Sequence, residues 1–167
     1  MGRIAVDEYA GLPESGIVVV LDNIRSAHNV GSAFRTSDAF KVDRVYLCGI
    51  CACPPSAEIH KSALGAESSV PWEYVADTLE AVKCLKEEGY TVLSAEQTES
   101  AVQLQDFVPE AHGRYAIIFG NEVDGVRQDV VDASDFSVEI PQFGTKRSLN
   151  VSVSVGIVLW QMRRLSL

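Results

Sequence analysis

With 167 residues, 47% of them hydrophobic and 22% charged, the chain has the composition of a single globular domain over 1–167, not of a disordered or fibrous protein. Its net charge of −9 opposes indiscriminate coating of nucleic acid, which needs clustered Lys and Arg, yet leaves room for a local basic patch on an acidic body. No apolar run reaches the roughly 18–20 residues that span a bilayer. The opening residues MGRIAVDEYAGLPESG carry no secretion signal, and Gly2 alone does not make a myristoylation signal, so a cytoplasmic protein is expected.

In chain order, a segment of sixteen residues precedes Ile17–Leu21, IVVVL, a continuous β-branched run of the kind that forms a strand covered on both faces. A helix beginning near Ser26 then carries Asn29, Gly31, Arg35 and Thr36, with Val30, Ala33 and Phe34 on its other face. Gly31 is expected to lower the steric wall between Asn29 and Arg35. RVYLCG, from Arg44 to Gly49, reads as the next strand.

Cys48, Cys51 and Cys53 form C-x2-C-x-C with His60 downstream, and the fourth cysteine is Cys84. Structural zinc sites usually pair two C-x2-C knuckles on separate segments, so reduced core or loop thiols are expected and no metal. Asp77 to Gly89 reads as a helix capped by Asp77 and stopped by Gly89, with Leu79, Val82 and Leu85 on one face. YTVLSA from Tyr90, YAIIFG from Tyr115 and FSVEI from Phe136 are further strands. SLNVSVSVGIVLWQMRR, Ser148 to Arg164, is a helix apolar over much of its surface, either buried or forming an interface, with Ser148 as its cap and Asn150 in its first turn.

Strands alternating with helices predict an α/β fold with a mainly parallel sheet flanked by helices, in which ligands bind beyond the carboxyl ends of strands. Unusual polar residues gather in three such places. Leu21 to Phe40 holds Asn29 and Arg35, which on their own also suit a surface arginine beside a capped helix. Tyr115 to Val126 ends a strand in Gly120, Asn121 and Glu122, which equally suits an ordinary turn. Ile140 to Gln161 passes Pro141, Gly144, Lys146 and Arg147 before a helix, which is also what a capped helix with a basic loop looks like.

Together, and in this order, the three segments resemble the motifs of the SpoU family of the SPOUT superfamily. Asn29, Gly31, Arg35 and Thr36 match N-x-G-x-x-x-R-T, and Phe119, Gly120, Glu122 and Gly125 match F-G-x-E-x-x-G. Ile140 through Ser148, Leu149 and Asn150 to Val153 match I-P-x-x-G-x-x-x-S-L-N-V-S-V. Ile59 to Ser68 also looks like a family segment, which offers His60 a role other than metal binding. Gln142 stands where the family often has methionine.

The resemblance implies a C-terminal trefoil knot at about 115–164, and an S-adenosylmethionine-dependent transfer of methyl to a ribose 2′-hydroxyl of tRNA or rRNA. It implies donor binding around Gly120, Ile140, Ser148 and Leu149, and a homodimer through the last helix. Arg35 is then the catalytic arginine. A charged guanidinium has no acceptor to spare, so its expected work is to grip a phosphate and orient the 2′-oxygen. Asn29 would position Arg35 or the ribose, Glu122 would hold Arg35 or another cation, and Ser148 and Asn150 would organise the loop around donor and substrate.

Arg25, His28, Lys61, Lys146 and Arg147 are expected to supply a basic rim for RNA. The short segment before Ile17 and the acidic charge suggest a folded RNA recognised by shape across a dimer, which favours tRNA over rRNA. A relative that binds RNA or a partner without catalysis is the rival reading. A generic nucleotide-binding module is disfavoured because both G-x-G-x-x-G and G-x-x-x-x-G-K-[ST] are lacking.

Overall fold

The computed structural model describes residues 4–164, so Met1 and Gly2, with the myristoylation question, lie outside the described residues. A short helix α1 (Val6–Ala10) leads into β1 (Ile17–Asp22), α2 (Ala27–Ala39), β2 (Arg44–Cys48), α3 (Ala57–Ala63), α4 (Ala66–Ser69) and β3 (Trp72–Val75). There follow α5 (Thr78–Glu87), β4 (Thr91–Ala95), β5 (Val102–Gln103), β6 (Tyr115–Gly120), α6 (Gln128–Ala133), β7 (Phe136–Glu139) and α7 (Val151–Arg163). The strands form one sheet in the order β3-β2-β1-β6-β4-β7-β5, and every neighbouring pair is parallel.

All six residues of β1 are buried, because helices cover both faces of the sheet. Val19, Leu21, Val45, Leu47, Ile117 and Phe119 point into a core shared with α2, α3 and α7. Val18, Val20, Tyr46, Val92 and Ile118 point into a second core with α5 and α6. After β1 the chain winds toward β2 and β3, whereas after β6 it winds toward β7. The switch point of the sheet therefore lies between β1 and β6, whose ends pair Asp22 with Gly120. The first two polar segments of the sequence leave the sheet side by side at that crevice.

Several expectations are corrected. The last helix starts at Val151 and is capped by Asn150, whose side chain accepts from the Ser152 amide at 2.9 Å, so Ser148 lies before the helix in the preceding loop. On α5 the buried stripe is Thr78, Ala81, Val82 and Leu85, and Leu79 is only half-buried. Cys84 is exposed on that helix and is neither a core nor a loop thiol. The edge strands β3 and β5 escape sequence reading because neither shows an apolar run: WEYV is half open to solvent, and β5 has two residues.

The remaining cysteines behave as packing groups. Cys51 Sγ donates to the Leu21 carbonyl at 3.2 Å and accepts from the Ile24 amide at 3.1 Å. Burial raises its thiol to about 11 and that of Cys48 to about 12, which keeps both protonated near neutral pH.

Gly31 works differently from the expectation. It is buried, and a Cβ there would overlap Ser62 Oγ and the Ile59 carbonyl, so it seats α2 against α3 and does not open a path between Asn29 and Arg35. Ser62 Oγ also bonds the His28 carbonyl at 2.8 Å, which closes the same contact. Replacing Gly31 by alanine forces backbone apart. Gly31→Ala is expected to cost about 1–3 kcal/mol, read as a lower urea midpoint with unchanged slope.

Candidate functional site

A cavity of about 270 Å³ lies at the carboxyl ends of β4, β6 and β7, between the loop 121–126 and the loop 140–150. Phe119, Val138, Ile140, Leu149 and Val151 give it apolar walls; Glu96, Glu122, Asp124 and Glu139 bring four carboxylates against the single guanidinium of Arg147. The expected donor-binding residues Gly120, Ile140, Ser148 and Leu149 all line it. An apolar wall for a nucleobase beside an acidic lining suits a ligand that carries positive charge.

The first loop is shaped by its own side chains. Asn121 Oδ1 accepts from the Val123 amide at 3.0 Å and the Asp124 amide at 2.8 Å, while the Gly125 amide bonds the Asn121 carbonyl at 2.9 Å. Gly125 adopts a φ of +67°, and a Cβ on Gly120 would overlap the Gly125–Val126 backbone, so both glycines are needed to fold the loop back onto its strand. Two carboxylates fix the exit: the Val126 amide donates to Glu96 Oε2 and the Arg127 amide to Asp22 Oδ2, each at 3.0 Å. Asp22 is 1% exposed and also accepts from Thr78 Oγ1 at 2.5 Å and Asn23 Nδ2 at 2.9 Å.

Residues from all three polar segments meet at the cavity's edge. Asn29 Nδ2 donates to Glu122 Oε1, and Asn150 Nδ2 donates to Asn29 Oδ1 at 3.1 Å. Asn29 is buried at the first turn of α2, where the Ser26 hydroxyl caps the helix, so the relay is anchored on a fixed element. Glu122 is thus bonded to the neutral Asn29, where Arg35 or another cation was expected. Arg35 lies six residues further along α2, about 9 Å up the axis, with its side chain exposed.

The residues expected to supply an RNA rim differ in their surroundings. Arg25, His28, Lys146 and Arg147 are exposed, and Arg147 stands at the cavity. Lys61 is exposed and pairs with Glu58 at 2.7 Å, a contact of the exposed kind that is weak and screened by solvent. His60 Nδ1 meets Glu67 Oε1 at 2.5 Å. Sequence reasoning missed Glu96 and the Asp22–Thr78–Arg127 cluster, and placed Asn121 only in a turn. The signal available for Glu96 and Asp22 was an acidic residue at or just beyond the carboxyl end of a predicted parallel strand.

Asn150 combines two duties, and they are separable. Asn150→Ala removes a helix cap and is expected to lower stability by about 1 kcal/mol in denaturant unfolding. Asn150→Asp keeps the cap acceptor but cannot donate to Asn29 Oδ1, so it is expected to retain stability while loosening the Asn29–Glu122 pair, seen as altered amide shifts at 29 and 122.

Residues 16–160 match the model of the SpoU rRNA Methylase family. The 23S rRNA (guanosine-2′-O-)-methyltransferase RlmB of Neisseria meningitidis serogroup B is 34% identical over 158 residues, covering 95% of this chain and 62% of that protein. Its namesake from Nitrosomonas europaea is 36% identical over 162 residues, covering 95% and 60%. The chain thus spans about three-fifths of the length of these curated relatives. Among solved structures, the AdoMet-bound rRNA methyltransferase from Sinorhizobium meliloti superimposes with a TM-score of 0.85 at 26% identity, over 93% of this chain and 58% of that one. The A. aeolicus TrmH/SpoU tRNA modifying enzyme gives 0.83 at 26% identity, over 95% and 79%.

Proposed function

The chain belongs to the SpoU rRNA methylase family, and on that premise we propose that it transfers a methyl group from S-adenosylmethionine to a ribose 2′-hydroxyl of RNA. The observation that carries the reading is the Glu122–Asn29–Asn150 relay, which draws all three motif segments to the edge of one cavity. The same proposal includes a trefoil knot at about 115–164. In its support, β4 separates β6 from β7 in the sheet, and the loops after those two strands face each other across the cavity. No helix among the described residues is long and apolar enough to cross a membrane, and a cytoplasmic site of action is part of the proposal.

The donor, when bound, supplies an electrophilic methyl on a sulfonium, whose positive charge the four lining carboxylates favour. Gly120, Ile140, Ser148 and Leu149 border the space it would take. The remaining work is to bring a weak nucleophile into line and to relieve it of a proton. Arg35 grips the phosphate next to the target and orients the 2′-oxygen, and the proton leaves through phosphate or water because the guanidinium cannot accept it. Asn29 holds Glu122 and Asn150 in register, so these three set the edge past which the ribose enters. Arg25, His28, Lys146 and Arg147 form the basic rim.

The tRNA preference expected from charge and size finds no support in the two curated relatives described above, each named for 23S rRNA. Acidity bears on how an RNA is docked and does not select which RNA. We therefore place rRNA first; the solved tRNA-modifying relative keeps tRNA as the second reading. Labelled methyl from S-adenosylmethionine is expected to enter rRNA as an alkali-resistant dinucleotide, and Arg35→Ala to lower the rate by about a hundredfold or more. Arg35→Lys retaining most of the rate would remove the bidentate role given to the guanidinium. Donor binding without transfer to either RNA would favour a non-catalytic relative.

A homodimer through α7 is also proposed. Val153, Ile157 and Trp160, exposed by 50%, 37% and 56%, form a stripe at i, i+4 and i+7 on the side away from the core. Phe40 extends it with its ring edge-on to Trp160 at 6.5 Å. Trp160→Glu is expected to convert a dimer to a monomer in sedimentation velocity while leaving the circular dichroism spectrum unchanged.

A further inference from the structure

Glu96 is the one lining carboxylate held in place by backbone on both of its oxygens. Oε2 accepts from the Val126 amide at 3.0 Å and Oε1 from the Gln97 amide at 2.9 Å. Its own amide is tied to the Val138 carbonyl at 3.1 Å, so the residue is fixed between β4, β7 and the loop 121–126. An ionised carboxylate offers about four acceptor sites, and two are used here. One remains on each oxygen, side by side, at the wall of the cavity.

We infer that Glu96 binds the vicinal 2′- and 3′-hydroxyls of the donor's ribose. The inference rests on the proposed donor reading and adds the residue that selects for a ribonucleoside. Two neighbouring hydroxyl donors match two neighbouring carboxylate oxygens, whereas an ammonium is a point charge that is best served by acceptors converging from several directions. The location fits as well: just past the carboxyl end of a parallel strand is where an acidic side chain meets a ribose in open α/β sheets. Because the carboxylate is already immobilised by Val126 and Gln97, little side-chain freedom is lost when the sugar arrives. The same bond to Val126 places the sugar contact and the shape of the loop under one side chain.

The test is calorimetric titration of the full chain with S-adenosylhomocysteine, with 5′-methylthioadenosine, which lacks the amino-acid part, and with 2′,3′-dideoxy-5′-methylthioadenosine. The native protein is expected to bind the dideoxy compound about tenfold more weakly than its ribose counterpart. Glu96→Gln, which keeps an acceptor for the Val126 amide, is expected to weaken both ribose ligands about tenfold and leave the dideoxy compound unchanged. Equal weakening of all three ligands would reduce Glu96 to a loop clamp and overturn the inference. Weakening of S-adenosylhomocysteine alone would mean that it holds the ammonium and would overturn it too. Methyl transfer is not read, so a protein that binds these nucleosides but methylates neither RNA still decides the question. Native protein that bound none of them would take the donor reading down, and this inference with it.

Discussion

The carboxylate of Asp22 is the interaction on which the working end of the molecule depends. It sits at the end of β1, 1% exposed, where an unpaired charge would cost several kcal/mol. Three donors offset that cost: the Thr78 hydroxyl, the Asn23 amide group and the Arg127 backbone amide. Each belongs to a different piece of chain, so one buried group registers the starts of α5 and α6 against the end of β1. Arg127 reinforces the arrangement from outside through ion pairs to Asp77 at 3.0 Å and Asp129 at 2.8 Å. The loop 121–126 is therefore closed at its exit by bonds to the ends of β1 and β4.

The other side of the crevice is set by packing more than by charge. Gly31 lets α2 lie against α3 at backbone distance, and the Ser62–His28 bond fixes the rotation of α2 within that contact. That rotation turns Asn29 toward Glu122 and Asn150 and leaves Arg35 facing solvent. A motif residue that looks like a spacer in the sequence is thus the seat of the helix that aims two others. Asn29 has one donor arm and one acceptor arm in use, and each reaches a different motif segment, so it is the junction of the site.

How much of this was legible in the sequence follows from burial. β1, β2, β4 and β6 announce themselves because strands covered on both faces must be nearly continuous apolar runs, and β7, FSVE, shows a weaker form of the same pattern. β3 and β5 stand at the edges, where that demand is absent, and they carry no such mark. The motif positions were legible as a set through family resemblance, but their contacts were not. Charge complementarity pairs Glu122 with Arg35, whereas the fold pairs it with Asn29 across 93 residues of chain. The cap of the last helix was placed two residues early because Ser148 and Asn150 both suit the position, and only the geometry of the entering loop decides between them.

The charge of the molecule also reads differently once it is located. A net charge of −9 weighs against binding a polyanion if it is spread evenly. Here four carboxylates are concentrated on one cavity, two of them, Glu96 and Glu122, already engaged in shaping its walls. Arg25, His28, Lys146 and Arg147 remain exposed on segments that flank the crevice. Salt screens exposed charges beyond about 8–10 Å, so a phosphate near such a rim responds mostly to its immediate neighbours and little to acids elsewhere on the body. Under the proposed function, negative charge inside the cavity and positive charge around it would answer opposite demands of two ligands, a cationic donor and an anionic chain. The acids stand on the strand ends and their loops, whereas Arg25 and His28 stand at the start of α2 and Lys146 and Arg147 in the loop 140–150, with Arg147 alone among these bases reaching the cavity lining.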